Sequence, residues 1–445
     1  MQRLPMTVLR RRFTTEGADF SVSIQRAYGD LVYSDMPLIG RIYYIFHPDH
    51  IHEILLTPVG EVDKPLFIRG ILRSSFGNGL FTSGGEVWKR QRRLMQPTFH
   101  HAKIGHFAER ITSHAEKHQQ AWRDGDELSI DAEMHALTFK IIIDALFSSD
   151  ASDDTAQVGQ AMHDLGQGIA AQGNNFALAL LPDWVPLPSL RQKQRGVTAI
   201  NQVISQMTTS RRTLGEDASP VDLLSALIFT RDASSGEMMS NQQVRDELMT
   251  LFIAGHETTA VLLGWVWVLL AQNPVIEAKL HAELDSVLQG RTPTLADLPN
   301  LPYTLQIIKE TLRLYPPAWF LFRQNFQPIT LGNTIIPQNS ILFIFPYATH
   351  RDPRWFADAD AFQPERWAGD FEKTLPKGAY FPFGMGARVC IGNGFAMMEA
   401  QLLLASLAQR WQLELRSEAR PFKGTTTLGF ESSVLMEIFR REGSS

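Results

Sequence analysis

Residues 383–392 read Phe-Gly-Met-Gly-Ala-Arg-Val-Cys-Ile-Gly and contain Cys390, the only cysteine of the chain. Three glycines, Gly384, Gly386 and Gly392, allow tight turns with positive φ and a close approach of the backbone to a flat ligand. A lone cysteine is usually a small buried hydrophobe, and that interpretation stays open here. The glycines around it favour a second interpretation, in which a thiolate binds a flat, metal-containing group.

The neighbours of Cys390 suit a charged sulfur. Phe383 can shield the sulfur from water, and Arg388 can pair with a carboxylate on the bound ring. A helix is predicted from about Asn393 to Trp411, and the backbone N–H groups at its start would stabilise a thiolate. A thiolate at Cys390 could therefore be the axial ligand of a haem iron, where it would favour O–O cleavage.

This stretch matches the pattern Phe-x-x-Gly-x-Arg-x-Cys-x-Gly, and in it the chain resembles the cytochromes P450. The resemblance implies that Phe383, Gly386, Arg388, Cys390 and Gly392 bind haem b (iron protoporphyrin IX), with Cys390 as the iron ligand. It also implies the cytochrome P450 fold, which is mainly α with a minor β-sheet region. That fold is a triangular, helix-rich single domain with a long central helix.

The bulk composition fits this expectation. The 445 residues are 44% hydrophobic and 20% charged, as in soluble globular proteins, and no linker or repeat divides them, so we expect one domain over residues 1–445. The net charge of −5 argues against nucleic acid as a partner. No apolar run has the length of a membrane span, so we expect a soluble, bacterial-type, cytoplasmic enzyme.

A helix of about residues 240–273 is predicted to cross the domain, with Ser240 as its N-cap and Pro274 just after its end. Other helices are predicted at 50–56, 88–95, 102–122, 132–147, 275–288 and 303–314, and strands at 31–46 and 329–345. The proline-broken segment 181–188 is either a cover over a pocket mouth or an ordinary packed loop.

The central helix contains Ala-Gly-His-Glu-Thr-Thr at residues 254–259. Ala254 and Gly255 would leave room beside the helix for a diatomic ligand and a substrate carbon. Glu257 and Thr258 could relay protons to that space. A glycine-kinked buried helix explains the same residues. Zinc is excluded, because Ala stands where the zinc-peptidase pattern His-Glu-x-x-His requires its second histidine. The motif is similar to the oxygen-activating motif of the cytochromes P450.

Further residues match the family in the expected order. Glu310 and Arg313 are three apart on a helix, a pair that alone would be an ordinary surface ion pair. In the family, a Glu-x-x-Arg pair and a later arginine, here Arg366, form a buried structural triad. Arg323 matches the position of a propionate-binding arginine.

Trp88 and Arg92 share one helix face, and they match the family's Trp-x-x-x-Arg pair that binds the haem propionates. Lys89 and Arg93 lie on a second face of the same helix. That face either meets an acidic electron-transfer protein or is a solvated basic surface.

The resemblance also indicates a substrate pocket. Its expected lining residues are Phe81, Leu251, Ala254, Ala318, Trp319 and Phe320. Aromatic and apolar walls imply an apolar substrate of moderate size, such as a fatty acid, a terpenoid or a steroid. Core packing explains Trp319 and Phe320 equally well.

Taken together, the resemblance implies a monooxygenase that inserts one atom of O2 into its substrate. Electrons would come ultimately from NAD(P)H through a separate ferredoxin or flavodoxin and its reductase, since the 55 residues after Cys390 (445 − 390) leave no room for a fused reductase. Three alternatives stay open: a peroxide-driven haem-thiolate peroxygenase, a non-enzymatic haem-binding protein, and a haem-free helical binding protein in which Cys390 is part of the core.

Overall fold

The computed structural model describes residues 1–36, 40–148, 160–161, 164–165, 185, 187–233, 235–421 and 427–441. The chain forms two compact units. The first unit comprises residues 1–63, 105–138 and 257–445, and the second comprises residues 64–104 and 139–256. Helices dominate both units, and the strands described below lie in the first.

The first unit contains a mixed sheet. Among the described residues this sheet has six strands in the order β1-β2-β3-β9-β6-β4. Their bounds are β1 Gln2–Arg3, β2 Leu31–Met36, β3 Gly40–Ile45, β4 Val62–Asp63, β6 Leu321–Asn325 and β9 Ile341–Ile344. Strands β2 and β3 pair antiparallel, whereas β3 and β9 pair parallel, with Tyr44 opposite Phe343.

Side chains of β3 alternate between two hydrophobic clusters, as the two-residue period of a strand requires. Ile42 and Tyr44 pack with the N-terminal helices Met6–Glu16 and Asp19–Tyr28. Tyr43 and Ile45 point to the opposite face. The sheet is therefore buried on both faces.

Two smaller sheets complete the β structure of this unit. Strands β7 Ile329–Leu331 and β8 Thr334–Ile336 form a hairpin around Gly332-Asn333. Strand β11 pairs antiparallel with both β5 and β10. The bounds of these strands are β5 Glu127–Ser129, β10 Trp411–Leu415 and β11 Leu435–Arg440.

The remaining longer helices of the first unit are Pro48–Leu56, Ala108–Gln119, Pro274–Leu288, Pro302–Leu314 and Asn393–Ala408. Most side chains of the helix Asn393–Ala408 are buried, and it packs on the helix Ala108–Gln119. A helix that is apolar all round belongs in a core. This core helix starts three residues after Cys390, so it fixes one end of the cysteine loop.

The second unit is helical. Its helices are Leu66–Phe76, Gly85–Met95, His101–Ile104, Pro188–Leu214 and Leu223–Phe229. The helices Ile130–Phe147 and Asn241–Gln272 contribute residues to both units.

The predicted central helix is confirmed as Asn241–Gln272. Ser240 and Gln243 form a reciprocal cap at the N-terminus of this helix. The Ser240 hydroxyl accepts from Gln243 N–H, and the Gln243 side chain accepts from Ser240 N–H. By length and composition this helix alone, within the described ranges, could cross a membrane. However, 67% of its most apolar window is buried, and core helices of soluble proteins pass the same test.

Some predicted elements differ from the structure. The helix predicted over 102–122 is interrupted by a 3-10 turn, Gly105–Phe107, where a Cβ on Gly105 would lie 2.8 Å from Leu295 Cδ2. The helix predicted to reach Trp411 ends at Ala408, because Trp411 opens β10. The two N-terminal helices were not predicted. Five of the eight residues of the segment 181–188 lie outside the described residues, so the prediction for it is not tested.

Candidate functional site

The Cys390 loop is a tight turn closed by a backbone hydrogen bond. Cys390 N–H donates to the carbonyl of Phe383 at 2.9 Å. Gly386 has a φ of 66°, and a Cβ there would lie 2.1 Å from the carbonyl oxygen of Leu55, so only glycine fits. The thiol itself is exposed. The loop therefore presents the sulfur at a surface of the first unit instead of packing it in the core.

The prediction of positive φ holds for two of the three glycines. Gly384 has a φ of 72°, like Gly386, but Gly392 has a φ of −89° and is the N-cap of the helix that follows. The prediction for Gly392 was wrong because the helix start requires ordinary backbone at this position. Apart from its two chain neighbours, no described residue has an atom within 4 Å of the position of a Cβ on Gly392, so that side of the loop is open in the described part of the chain.

Two arginines lie side by side near this loop. Arg388 donates to the carboxylate of Asp63, with which it forms a buried ion pair. Arg323, on β6, is 6% exposed, and its pKa is lowered to about 10 by burial and by the neighbouring Arg388, with Asp63 acting in the opposite direction. Asp63 is the ion-pair partner of Arg388, and its charge also acts on Arg323, so two buried guanidinium groups are near one carboxylate, an arrangement that favours a further anionic group. The propionates of haem have the chemistry that this cluster requires.

The predicted structural triad forms a buried network. Glu310 and Arg313 are fully buried, and they make a two-pronged ion pair with N–O distances of 2.8 Å. Arg366 Nε also donates to Glu310, at 3.0 Å. Two further donors that were not predicted reach the same carboxylate: Trp367 Nε1 at 2.8 Å and Gln363 N–H at 2.9 Å.

His350 connects this network to the cysteine loop. Arg313 donates to the His350 carbonyl at 2.8 Å, and the His350 ring accepts from the backbone N–H of Phe381 at 3.0 Å. Burial, Arg313 and Arg351 lower the pKa of His350 to about 3, so the ring is neutral. Phe381 then accepts from Gly384 N–H. Hydrogen bonds therefore run from the buried charges to the start of the loop.

In the first unit, the central helix carries Glu257 and Thr258, both partly exposed. The carboxylate of Glu257 accepts from the hydroxyl of Thr427 at 2.6 Å. The adjacent Thr259 is buried beside Glu399, a residue of the helix Asn393–Ala408. Burial raises the pKa of Glu399 to about 8, and its hydrogen bond with Thr259 opposes that rise only in part. Residues 257–259 of the central helix therefore contribute one partly exposed carboxyl group, Glu257, and contact one buried carboxyl group on another helix, Glu399.

In the second unit, the helix residues 241–256 present the expected pocket residues. Leu251 is 8% exposed, whereas Ala254 is exposed although it lies in the middle of a long, largely buried helix. Gly255 does not leave room for a ligand, as we had expected. A Cβ on Gly255 would lie 2.7 Å from Ile142 Cδ1, so its role is close helix packing. Of the two residues, Ala254 is the exposed one.

Trp88 and Arg92 both line one cleft of the second unit, which has a volume of about 740 Å³. The cleft also contains Gln96, Pro97, His100 and Lys103, besides Lys89 and Arg93. The positive charge of the helix face that carries Lys89 and Arg93 is partly neutralised. Arg93 pairs with the buried Asp232 at 2.8 Å, and Lys89 pairs with Glu86.

The other pocket candidates differ in exposure. Phe81 is 40% exposed and its ring packs on Phe76 in the second unit. In the first unit, Trp319 is 4% exposed and belongs to the hydrophobic core, where Phe320 packs against it. Core packing therefore accounts for Trp319, whereas Phe320 and Ala318 are partly exposed.

The sequence analysis missed the residues that support the candidate site. Asp63, Thr427 and His350 each pair with a residue more than 30 positions away along the chain. Trp367 was a detectable exception, because it directly follows the predicted triad member Arg366.

Comparison with known proteins agrees with the fold. The family model for cytochrome P450 matches residues 6–435. Cyclooctatin synthase of Streptomyces melanosporofaciens is 39% identical over 90% of this chain and 85% of that protein. Cyclooctat-9-en-7-ol 5-monooxygenase of the same organism is 35% identical over 90% and 84%. Pentalenene oxygenase of Streptomyces avermitilis is 31% identical over 88% and 86%.

A crystal structure of a cytochrome P450 has a TM-score of 0.85 at 23% identity, covering 99% of this chain and 98% of that one. The mainly α fold with small sheets is therefore confirmed. The chain belongs to the cytochrome P450 family. It is a monooxygenase of that family, and family membership implies haem and the use of O2.

Proposed function

We propose that this enzyme oxygenates an apolar terpenoid hydrocarbon, or an alcohol derived from one, with haem b held by Cys390. The observation that carries the proposal is the exposed sulfur of Cys390 beside the cluster of Arg323, Arg388 and Asp63. It supports a flat anionic ligand with a metal at the sulfur. The names of the related enzymes, which refer to cyclooctat-9-en-7-ol and pentalenene, support the substrate class.

Several side chains would hold the haem. Arg388 and Arg323 would pair with haem propionates. The resemblance to the family assigns Trp88 and Arg92 to the propionates as well. Phe383 would shield the sulfur, and Gly386 and Gly392 would keep the loop close to the ring. Haem with a thiolate ligand supplies the activation of O2 and the cleavage of its O–O bond.

Glu257 and Thr258 would control protons at the site. Glu257 is partly exposed and accepts from Thr427, so it can exchange a proton with solvent while its position is held. Thr258, the next residue on the helix, has a hydroxyl that both donates and accepts. The two residues together can pass a proton inward without opening the pocket to bulk water.

The substrate would be held by apolar contacts. Ala254 leaves open space on its helix, Leu251 lies one turn before it, and Phe81, Ala318 and Phe320 present partly exposed apolar surface. Such walls favour a hydrocarbon skeleton and offer few hydrogen bonds. Electrons would come from NAD(P)H through a ferredoxin or flavodoxin and its reductase, and the enzyme would work in the cytoplasm with those partners.

The haem assignment is tested by the spectrum of the reduced, carbon-monoxide-bound protein. Wild type should show the strongly red-shifted Soret band of thiolate-ligated haem, and Cys390→Ala should lose it. Arg323→Ala should keep the band position and bind haem more weakly, because one counter-charge of the propionates is missing. A histidine-type spectrum in wild type would refute Cys390 as the ligand.

The substrate class is tested by titrating the holoenzyme with pentalenene, cyclooctat-9-en-7-ol, a steroid and a fatty acid of similar carbon number. We expect a low-to-high-spin shift with the two cyclic terpenoids, and a product heavier by one oxygen atom when reductase, ferredoxin and NADPH are added. A parallel reaction contains hydrogen peroxide in place of the reductase, ferredoxin and NADPH. Turnover with peroxide and none with the electron donors would refute the proposed electron supply from a ferredoxin or flavodoxin.

A further inference from the structure

Two adjacent carboxylates of the central helix hold a loop of the second unit, residues 77–83. Asn78 N–H donates to Asp246 Oδ2 and Leu80 N–H donates to Glu247 Oε2, both at 2.8 Å. Asp246 is 5% exposed and Glu247 is fully buried. The loop backbone is therefore fixed by side chains that lie about 170 positions later in the chain.

The loop also lies directly against the helix. A Cβ on Gly77, whose φ is 68°, would lie 2.0 Å from Asp246 Oδ1. A Cβ on Gly79 would lie 2.4 Å from the carbonyl oxygen of Asp246. Both glycines are needed for this approach, because any side chain would push the loop off the helix.

Two basic side chains also hold the backbone of the loop 77–83. Lys64 Nζ donates to the carbonyl of Phe81 at 2.6 Å and lies 4.0 Å from the centre of its ring. Arg69 Nε donates to the carbonyl of Thr82 at 3.1 Å. Phe81 is thus held between the Glu247 contact on one side and two basic side chains on the other, while its ring stays 40% exposed.

Burying the Glu247 carboxyl group reduces the stability of the fold. Its Oε1 has no hydrogen-bond partner among the described residues, and a buried carboxyl group without full pairing is destabilising. Burial, with a smaller contribution from Asp246, raises the pKa of Glu247 to about 8, so it is mainly neutral at pH 7. A leucine would fill the same space without this cost, but it could not accept from Leu80 N–H.

We propose that Glu247 is a positioning residue that fixes Phe81 through the backbone of Leu80 and thereby sets the size of ligand that Phe81 admits. This inference rests on the proposed function, in which Phe81 borders the pocket. Glu247 touches no reacting group in this proposal. Its effect is on which ligands fit, and the oxygen chemistry is left to other residues.

The test uses two iron-binding probes that differ in size, imidazole and 4-phenylimidazole, titrated into the holoenzyme while the shift of the Soret band is followed. The ratio of their dissociation constants measures the space above the haem. We expect Glu247→Leu to change this ratio about tenfold, a moderate change for a displaced pocket side chain. Glu247→Gln should keep the wild-type ratio, because its amide oxygen can still accept from Leu80 N–H.

Two matched variants make the result specific. Glu237→Leu changes an exposed glutamate of the same unit and should leave the ratio unchanged. In a Phe81→Ala background, Glu247→Leu should have no further effect, because the side chain it positions is gone. If Glu247→Leu does not fold, Glu247→Asp replaces it, since the shorter carboxylate withdraws from Leu80 N–H and should also change the ratio.

An unchanged ratio in both Glu247→Leu and Glu247→Asp would overturn the inference, and so would an effect of Glu247→Leu that persists in the Phe81→Ala background. The proposed function fails differently. If Cys390 does not hold haem, wild-type protein gives no Soret shift with imidazole, and if the substrate class is wrong, only the terpenoid titrations fail. A failed inference leaves normal azole binding in wild type, with either unchanged ratios in the Glu247 variants or an effect of Glu247→Leu that does not depend on Phe81.

Discussion

Removing the Glu310 carboxylate should destabilise the protein more than any other single charge deletion discussed above. Glu310 is fully buried and accepts five hydrogen bonds: two from Arg313 and one each from Arg366, Trp367 and Gln363. Glu310→Ala leaves the guanidinium groups of Arg313 and Arg366 without their counter-charge. Breaking a buried pair in this way costs about 3–5 kcal/mol, out of roughly 5–15 kcal/mol for a typical domain.

The matched control is Glu365→Ala, on the turn next to Gln363. Glu365 is about half exposed and pairs with Lys279, so its loss should cost about 0–1 kcal/mol. Glu310→Gln should fall between the two, because its amide oxygen can accept some of the five hydrogen bonds but carries no charge.

Urea unfolding of the holoenzymes, followed by tryptophan fluorescence and by loss of the Soret band, measures these differences. Glu310→Ala should also yield little haem-loaded protein, since Arg313 connects through His350 to the start of the Cys390 loop. A Glu310→Ala protein whose unfolding free energy lies within about 1 kcal/mol of the Glu365→Ala value would refute the reasoning.

Three further predictions concern the helix and the pocket. Thr258→Ala should keep its haem but release more hydrogen peroxide per NADPH consumed, because proton delivery loses its hydroxyl; unchanged coupling would give Thr258 a structural role. Phe81→Ala should change the ratio of product regioisomers more than the total rate, by mass-spectrometric product analysis, and identical product mixtures would remove Phe81 from the pocket. Burial raises the pKa of Glu399 to about 8, so between pH 4.5 and 8 the native state keeps a proton that the unfolded chain has released. The free energy of unfolding therefore falls as the pH rises through this window. Wild type should therefore lose up to about 1.4 kcal/mol of stability per pH unit more than Glu399→Gln across that window, and equal slopes in urea unfolding would contradict the assignment.

The sequence was sufficient for elements whose signals are local. Ser240 and Gln243 form the cap of the central helix, and both lie within four residues of its start. The turn at Gly332-Asn333 likewise specified its own hairpin. The haem signature at 383–392 was visible for the same reason, since its glycines, arginine and cysteine are adjacent in the chain.

Features that depend on distant partners were not predictable. The role of Gly255 was mistaken because Ile142, which fills the space beside it, belongs to another helix. Nothing local to Asp63 indicates that it pairs with Arg388. The raised pKa values of Glu247 and Glu399 arise from burial, and a glutamate in a helical pattern gives no sign of whether it faces solvent.

The chain has a single thiol, and Cys390 is exposed in the polypeptide. Labelling of this thiol therefore measures the fraction of molecules that hold no haem. A maleimide dye can attach at one position only, so mass spectrometry would give the fraction of chains with an uncoordinated sulfur directly, without an extinction coefficient. The same property predicts that any disulfide-linked dimer seen on a non-reducing gel joins two Cys390 residues and therefore consists of chains that have lost the cofactor. Expression trials could thus be ranked by labelling alone.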